Sequence, residues 1–305
     1  MAYGHLVHPA RPRGAPGFSG TTVAVIQVTR PWFWPLGWAG AYLGAVLATR
    51  TWLPPLHAVP ESLAAAAVLG PLVWGAVLTL NDRYDLPSDR LNPRKATAPL
   101  VTGAVSEKDL VQWCGLFSFT ALAVAAAAGP AFTVGTALVL LLGWLYSVPP
   151  IRLKARPGAD VVVNAVAVGV LGPLAGWSLH RPIGDYPPIM VVLGLLLAAA
   201  LYLPTTVMDM DADRGAGDTT SAVRWNPSLC YGLGVTLWTA AIALWLASCH
   251  LGVLVSRDAW PLQDLMAPVL LAAYAVLARR PSIPRMAVVS IVFAIPAADF
   301  LMALT

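Results

Sequence analysis

The sequence predicts an all-α, polytopic membrane protein whose nine transmembrane helices pack as a bundle. Three observations carry that reading. Apolar residues make up 58% of the 305 and charged residues only 11%, with a mean hydropathy of +0.69; soluble domains have about 45–50% and about 25%. The apolar residues fall in long runs separated by short polar loops, the pattern of membrane-spanning helices. Basic residues gather on alternate loops, as expected when one side of each turn faces the cytoplasm.

Residues 1–22 are rich in Pro, Gly and Arg and lack the apolar stretch of a signal peptide, so a disordered cytoplasmic tail is expected there. His5 and His8 lie in it and read as tail residues, not metal ligands. The remaining chain, 23–305, reads as one transmembrane domain. Its first span covers about 32–50 and enters through Arg30-Pro31-Trp32-Phe33-Trp34, an aromatic cluster suited to the membrane interface. The second, about 61–81, delivers Asn81 and Asp82 at its end. Gly129-Pro130 separates a third span (about 109–128) from a fourth (about 131–147). A fifth covers about 160–179 and a sixth about 187–209. The last three are about 228–252, 263–279 and 284–303. Internal Gly and Pro do not exclude these helices, because neighbours in a membrane bundle satisfy the freed backbone groups.

With the N-terminus inside, the tail and the even-numbered loops hold sixteen of the nineteen Lys and Arg residues. Only Arg50, Arg181 and Arg257 fall on the other side. This asymmetry predicts an integral membrane protein with a cytoplasmic N-terminus. The formal charge of +4 does not indicate nucleic acid, since the basic residues are spread among loops. Cys114, Cys230 and Cys249 form no CxxC and sit in apolar surroundings, which reads as packing.

The chemistry lies in two acidic stretches on the cytoplasmic side. In NDRYDLPSDRLNPRK (81–95), Asp82, Asp85 and Asp89 stand at i, i+3 and i+7 and share one face of a helix. In DMDADRGAGDTT (209–220), Asp209 and Asp213 stand one turn apart, while Asp211 points elsewhere. Like charges so placed repel unless a cation joins them. Mg²⁺ suits the role, since it takes oxygen ligands and bridges one or two carboxylates to substrate phosphates. Asp82, Asp85 and Asp89 would hold one ion and Asp209 and Asp213 another, two or more in all, bound to a diphosphate of about three negative charges. Asn81 supplies a neutral oxygen ligand or orients Asp85. Arg152 and Lys154, after the fourth span, are placed to meet phosphate oxygens, as are Arg94, Lys95 and Arg214. The acid-bearing second and sixth spans lie four apart, which suggests a duplicated four-helix unit with a ninth helix added.

Order and spacing then point to a family. NDxxDxxxD after the second span, YSVPPIRLKARPG after the fourth, Asn164 in the fifth and DMDADRGAGDTT after the sixth resemble the UbiA superfamily of intramembrane prenyltransferases. The run from Asn92 to Ser106 is similar to the family's NxxRPLxSGxxS, except that Arg94 and Lys95 stand well before Pro99. The second motif is closer to members acting on lipid or isoprenoid acceptors. The resemblance implies a helical bundle around a central cavity capped by the two acidic loops. It implies a Mg²⁺-dependent transferase that ionises a prenyl diphosphate, shields the allylic cation from water and passes it to an aromatic or lipophilic acceptor. Tyr146 is the aromatic residue named for cation–π stabilisation, and Asn164 joins the diphosphate-binding set.

Two other readings remain at this stage. A terpene cyclase of the same superfamily shares the ionisation step and differs in using no acceptor. A transporter would place its carboxylates near the bilayer midplane rather than at helix ends on one side.

Overall fold

The computed structural model describes residues 18–254 and 261–305, and the description below concerns these. The chain forms eleven α-helices: α1 (Phe18–Val28), α2 (Trp34–Thr49), α3 (Leu56–Asp89), α4 (Glu107–Ala128), α5 (Pro130–Ser147), α6 (Ala159–Ser178), α7 (Pro188–Ala216), α8 (Ser221–Trp225), α9 (Pro227–Leu251), α10 (Pro261–Leu277) and α11 (Ile283–Leu304). All but α1 and α8 correspond to the nine expected spans. Seven are long and apolar enough to cross a membrane unaided. The other two, α2 with 16 residues and α10 with 17, reach about 25 Å, just short of a ~30 Å hydrocarbon core.

Helix ends follow local chemistry. Ser106 and Asp109 form a reciprocal capping box at the start of α4. The Asn226 side chain accepts from the Leu229 amide to open α9. Gly217 and Gly252, both at positive φ, close α7 and α9. Inside α3 the ladder widens over Val68–Leu72, where Gly70 leaves helical geometry before Pro71. The Trp38 indole donates to the nearby Ala66 carbonyl at 2.8 Å, so α2 supplies a donor beside the irregular turn.

Three departures from expectation bear on the site. α1 begins at Phe18, inside the segment read as a tail; His5 and His8 lie outside the described residues. Ala24, Val25 and Val28 of α1 pack against Leu86, Leu100 and Leu110, which seats α1 on the acid-bearing end of α3. The second and sixth spans also do not stop at their acidic motifs. Both helices run through them, to Asp89 and to Ala216, so the aspartates sit on fixed helical faces.

The bundle is held by close helix contact at small residues. A methyl group on Gly44 of α2 would lie 1.8 Å from the Pro173 carbonyl of α6, and one on Gly176 would lie 1.7 Å from the Ala41 carbonyl. Gly169 of α6 and Gly194 of α7 meet in the same way. The far seam carries a polar tie: Gln263 of α10 accepts from the Trp245 indole of α9 and donates to the Pro296 carbonyl and Asp299 of α11, each at 2.8 Å. Phe119, Val134 and Ile291 face outward, an apolar surface suited to lipid.

Candidate active site

The helical face expected from the i, i+3, i+7 spacing is realised. Asp82, Asp85 and Asp89 are all buried on one side of α3, whereas Arg83 on another side pairs with Glu107 at 3.7 Å. Each buried carboxylate meets a cation. Arg30 reaches Asp82 at 2.6 Å, and Lys95 lies 3.1 Å from Asp89 and 3.8 Å from Asp82. Asp85 binds the buried Lys154, lies 3.6 Å from Arg152 and accepts from the Asn81 amide at 2.5 Å. Asn81 is thus the orienter of Asp85.

The second motif joins the same cluster from α7. Asp209 accepts from the Asn92 amide at 2.7 Å and pairs with Arg94, both from the loop after α3. Arg152 bonds Asp218 at 2.8 Å and so links both motifs. Asp213 accepts from Thr220 at 3.2 Å, and among the described residues no cation lies within salt-bridge reach of it. Asp211 and Arg214 sit off this face: their carboxylate and guanidinium are 3.8 Å apart and both exposed. The structure therefore separates Arg214 from the other basic candidates, because one helical step carries it round to solvent.

The loop after α5 is clamped to the segment between α7 and α8. Asp160, fully buried, accepts from the Ser221 hydroxyl at 2.5 Å and the Ser221 amide at 2.9 Å. The Gly158 amide donates to Ser221, and Thr219 donates to the Ala155 carbonyl. This clamp fixes Lys154 and Arg152 between the two acidic helices. Below it, the hydroxyls of Tyr146 on α5 and Tyr202 on α7 meet at 2.7 Å, about 10 Å deeper along α7 than Asp209. Asn164 bonds the Asp160 carbonyl, and its side chain also reaches the Tyr146 hydroxyl.

Residues 34–287 match the UbiA prenyltransferase family. The chain belongs to that family. It is 30% identical over 224 residues to lycopene elongase/hydratase of Halobacterium salinarum, an alignment covering 70% of this chain and 76% of the relative. It is 28% identical over 203 residues to the chloroplastic chlorophyll synthase of Arabidopsis thaliana, covering 63% of this chain and 51% of the plant protein, about half its length. Among solved structures, a UbiA homolog from Archaeoglobus fulgidus bound to DMAPP and Mg²⁺ superposes with a TM-score of 0.70 at 25% identity, covering 92% of this chain and 98% of the other. The same homolog bound to GPP and Mg²⁺ also gives 0.70, at 26% identity.

The residues of this UbiA protein fit a magnesium–diphosphate occupant. Among the described residues no three acidic, histidine or cysteine side chains converge closely enough to cage an ion. The available donors are hard oxygens. Among the described residues Asp213 has no salt-bridge partner, and two buried polar atoms in the same region, Arg152 Nε and Ser147 Oγ, have no partner. Arginine forks of this kind bind phosphate oxygens well.

Five members of the cluster are not marked by the sequence pattern. Arg30 stands in an interface sequence, Asn92 and Asp218 stand inside the motifs without a role of their own, Tyr202 lies within the sixth span, and Asp160 follows the basic loop. Position gave a signal for Arg30 alone, a lone basic residue just before an aromatic cluster at the cytoplasmic end of a span.

Proposed function

We propose that this prenyltransferase ionises a prenyl diphosphate at the aspartate–lysine cluster and transfers the prenyl group to a lipophilic or aromatic acceptor. The observation that carries the reading is the joining of both acidic helices by one set of basic side chains, Arg94 on Asp209 and Arg152 between Asp85 and Asp218. Charge supports the ligand. Asp82, Asp85, Asp89, Asp209, Asp213 and Asp218 face Arg30, Arg94, Lys95, Arg152 and Lys154, which leaves one negative charge. A diphosphate of about three negative charges with two divalent cations brings the whole to neutrality.

In this reading Asp82, Asp85 and Asp89 would close on one Mg²⁺ once the ligand draws their cationic partners away, and Asp209 and Asp213 would hold a second. Bound there, the metal neutralises charge that builds on the departing pyrophosphate. Lys154 and Arg152 turn from Asp85 to the diphosphate oxygens, and Asn81 holds Asp85 in place. The prenyl tail would run from this cluster past Tyr146 and Tyr202, whose aromatic rings would stabilise an allylic cation and whose depth would keep bulk water from it. Arg94 and Lys95 balance Asp209 and Asp89 until the ligands arrive. The relatives named for lycopene elongation and chlorophyll synthesis support an acceptor of lipophilic class. The basic-residue asymmetry supports a cytoplasmic position for the site and the N-terminus.

The test is to incubate purified protein with Mg²⁺ and prenyl diphosphates of ten to twenty carbons, without acceptor, and to identify products by mass spectrometry. A transferase yields slow pyrophosphate release and linear prenyl alcohol, with turnover rising when an acceptor is added. A cyclic terpene as the dominant product would replace transfer by cyclisation.

A further inference from the structure

Three arginines of this protein share a backbone peculiarity. Among the described residues, four that are not glycine adopt positive φ: Arg30 (49°), Arg50 (58°), Arg152 (38°) and Asn226 (74°). A side chain in this left-handed region is strained, and such strain collects where a side chain must be aimed. Arg30 and Arg152 aim at the aspartates of the active site. Arg50 does not. It closes α2 at a C-cap, the position that glycine fills on α7 and α9, and it lies at the opposite end of α2, about 24 Å from the cluster.

Arg50 lines a cavity of about 450 Å³ with Arg181, Asp185, Leu47, Ile189 and Leu254, a size typical of small-ligand sites. The cavity lies where α2, α6 and α9 end and α7 begins, at the membrane surface away from the active site. Arg181 is set in place by its Nε, which donates to the Ala48 carbonyl at 2.8 Å, and by the Trp177 ring beneath its guanidinium. Its two terminal amino groups have no protein partner among the described residues. Arg50 makes a long contact of 3.4 Å to the Leu254 carbonyl. Among the described residues no carboxylate pairs with either guanidinium; Asp185, on the same wall, is beyond salt-bridge reach of both. Burial and the adjacent Arg181 charge together pull the Arg50 pKa down, as expected for two unneutralised cations held close. Three basic residues were expected on this side of the membrane, and two of them converge on this cavity.

We propose that the cavity binds the phosphate of a phospholipid headgroup between Arg50 and Arg181, with Leu47, Ile189 and Leu254 against the glycerol and first acyl carbons. Two guanidinium forks match a phosphodiester's two charged oxygens. The apolar wall and the position at the helix ends favour a lipid over a soluble phosphate.

The experiment uses delipidated full-length protein in detergent, titrated with phosphatidylglycerol, inorganic phosphate or diacylglycerol and followed by native mass spectrometry and melting temperature. Wild type should hold one phospholipid and melt higher with it, while phosphate and diacylglycerol at equal concentration should do neither. Arg50→Gly/Arg181→Gln should bind the lipid at least tenfold more weakly while keeping its magnesium-dependent pyrophosphate release, which serves as the check on folding. Arg50→Gly alone should melt higher than wild type without lipid, because the strain is gone, and gain less from lipid. Equal lipid retention by the double variant, or equal binding of diacylglycerol, overturns the proposal. A phosphate response matching that of the lipid assigns the cavity to a soluble anion and overturns the lipid.

Discussion

At the scale of single residues, the aspartates divide into those aimed at the cluster and one aimed away. Asp82→Asn, Asp85→Asn, Asp209→Asn and Asp213→Asn should each lower kcat/KM for pyrophosphate release by roughly 100-fold or more, the usual effect of removing a group that stabilises developing charge. Asp211→Asn should change it less than about threefold, since its side chain is 93% exposed and, among the described residues, pairs with Arg214 alone. A dead Asp211→Asn beside an active Asp213→Asn would reverse the facing of α7. The facing of Asp82, Asp85 and Asp89 was legible in the sequence because helical spacing dictates it. Their cationic partners were not: Arg30 is 52 residues from Asp82 and Lys154 is 69 from Asp85, so only the fold brings them together. Arg214 illustrates the opposite failure, a basic residue beside the motif that faces the wrong way.

Among the elements, the clamp around Asp160 and the glycine seam between α2 and α6 carry distinct burdens. Asp160→Ala would leave the Ser221 hydroxyl and amide without their buried acceptor, costing about 1–3 kcal/mol. It should lower the melting temperature and raise KM for the diphosphate by a larger factor than it lowers kcat, because Lys154 loses its fixed loop; steady-state kinetics and thermal melts separate the two. Gly176→Ala should destabilise the bundle by at least about 1–3 kcal/mol, since the new methyl would meet the Ala41 carbonyl at 1.7 Å. Gly184→Ala, with nothing within 4 Å of its new methyl, should be neutral. The positions of the seven membrane-length helices and of the shorter α2 and α10 could be read from the apolar runs of the sequence. The full length of α3 and α7 could not, because hydropathy falls at the acidic motifs and ends the expected spans there, whereas both helices continue, to Asp89 and to Ala216. α1 escaped notice since its buried face is merely three small or branched residues, Ala24, Val25 and Val28.

For the whole molecule, the sequence-level charge asymmetry and the structure agree that both acidic motifs share one end of the bundle. Single cysteines introduced as Thr97→Cys and Asp211→Cys, with Cys114, Cys230 and Cys249 replaced, should label from the cytoplasmic side of sealed cells only after permeabilisation. Gly184→Cys should label from outside. Reversed labelling would invert the orientation while leaving the two motifs together. The salt bridges that fill the cluster also have a thermodynamic meaning. A divalent cation arriving alone must displace ammonium and guanidinium groups from their carboxylates and leave them unpaired; a diphosphate arriving alone must draw the same groups away and leave the carboxylates unpaired. Each ligand removes the penalty of the other, so their affinities are linked reciprocally. Calorimetry should find that Mg²⁺ and a non-hydrolysable prenyl diphosphate analogue each bind poorly by themselves, and that either one tightens the other by the same factor, on the order of 10- to 100-fold.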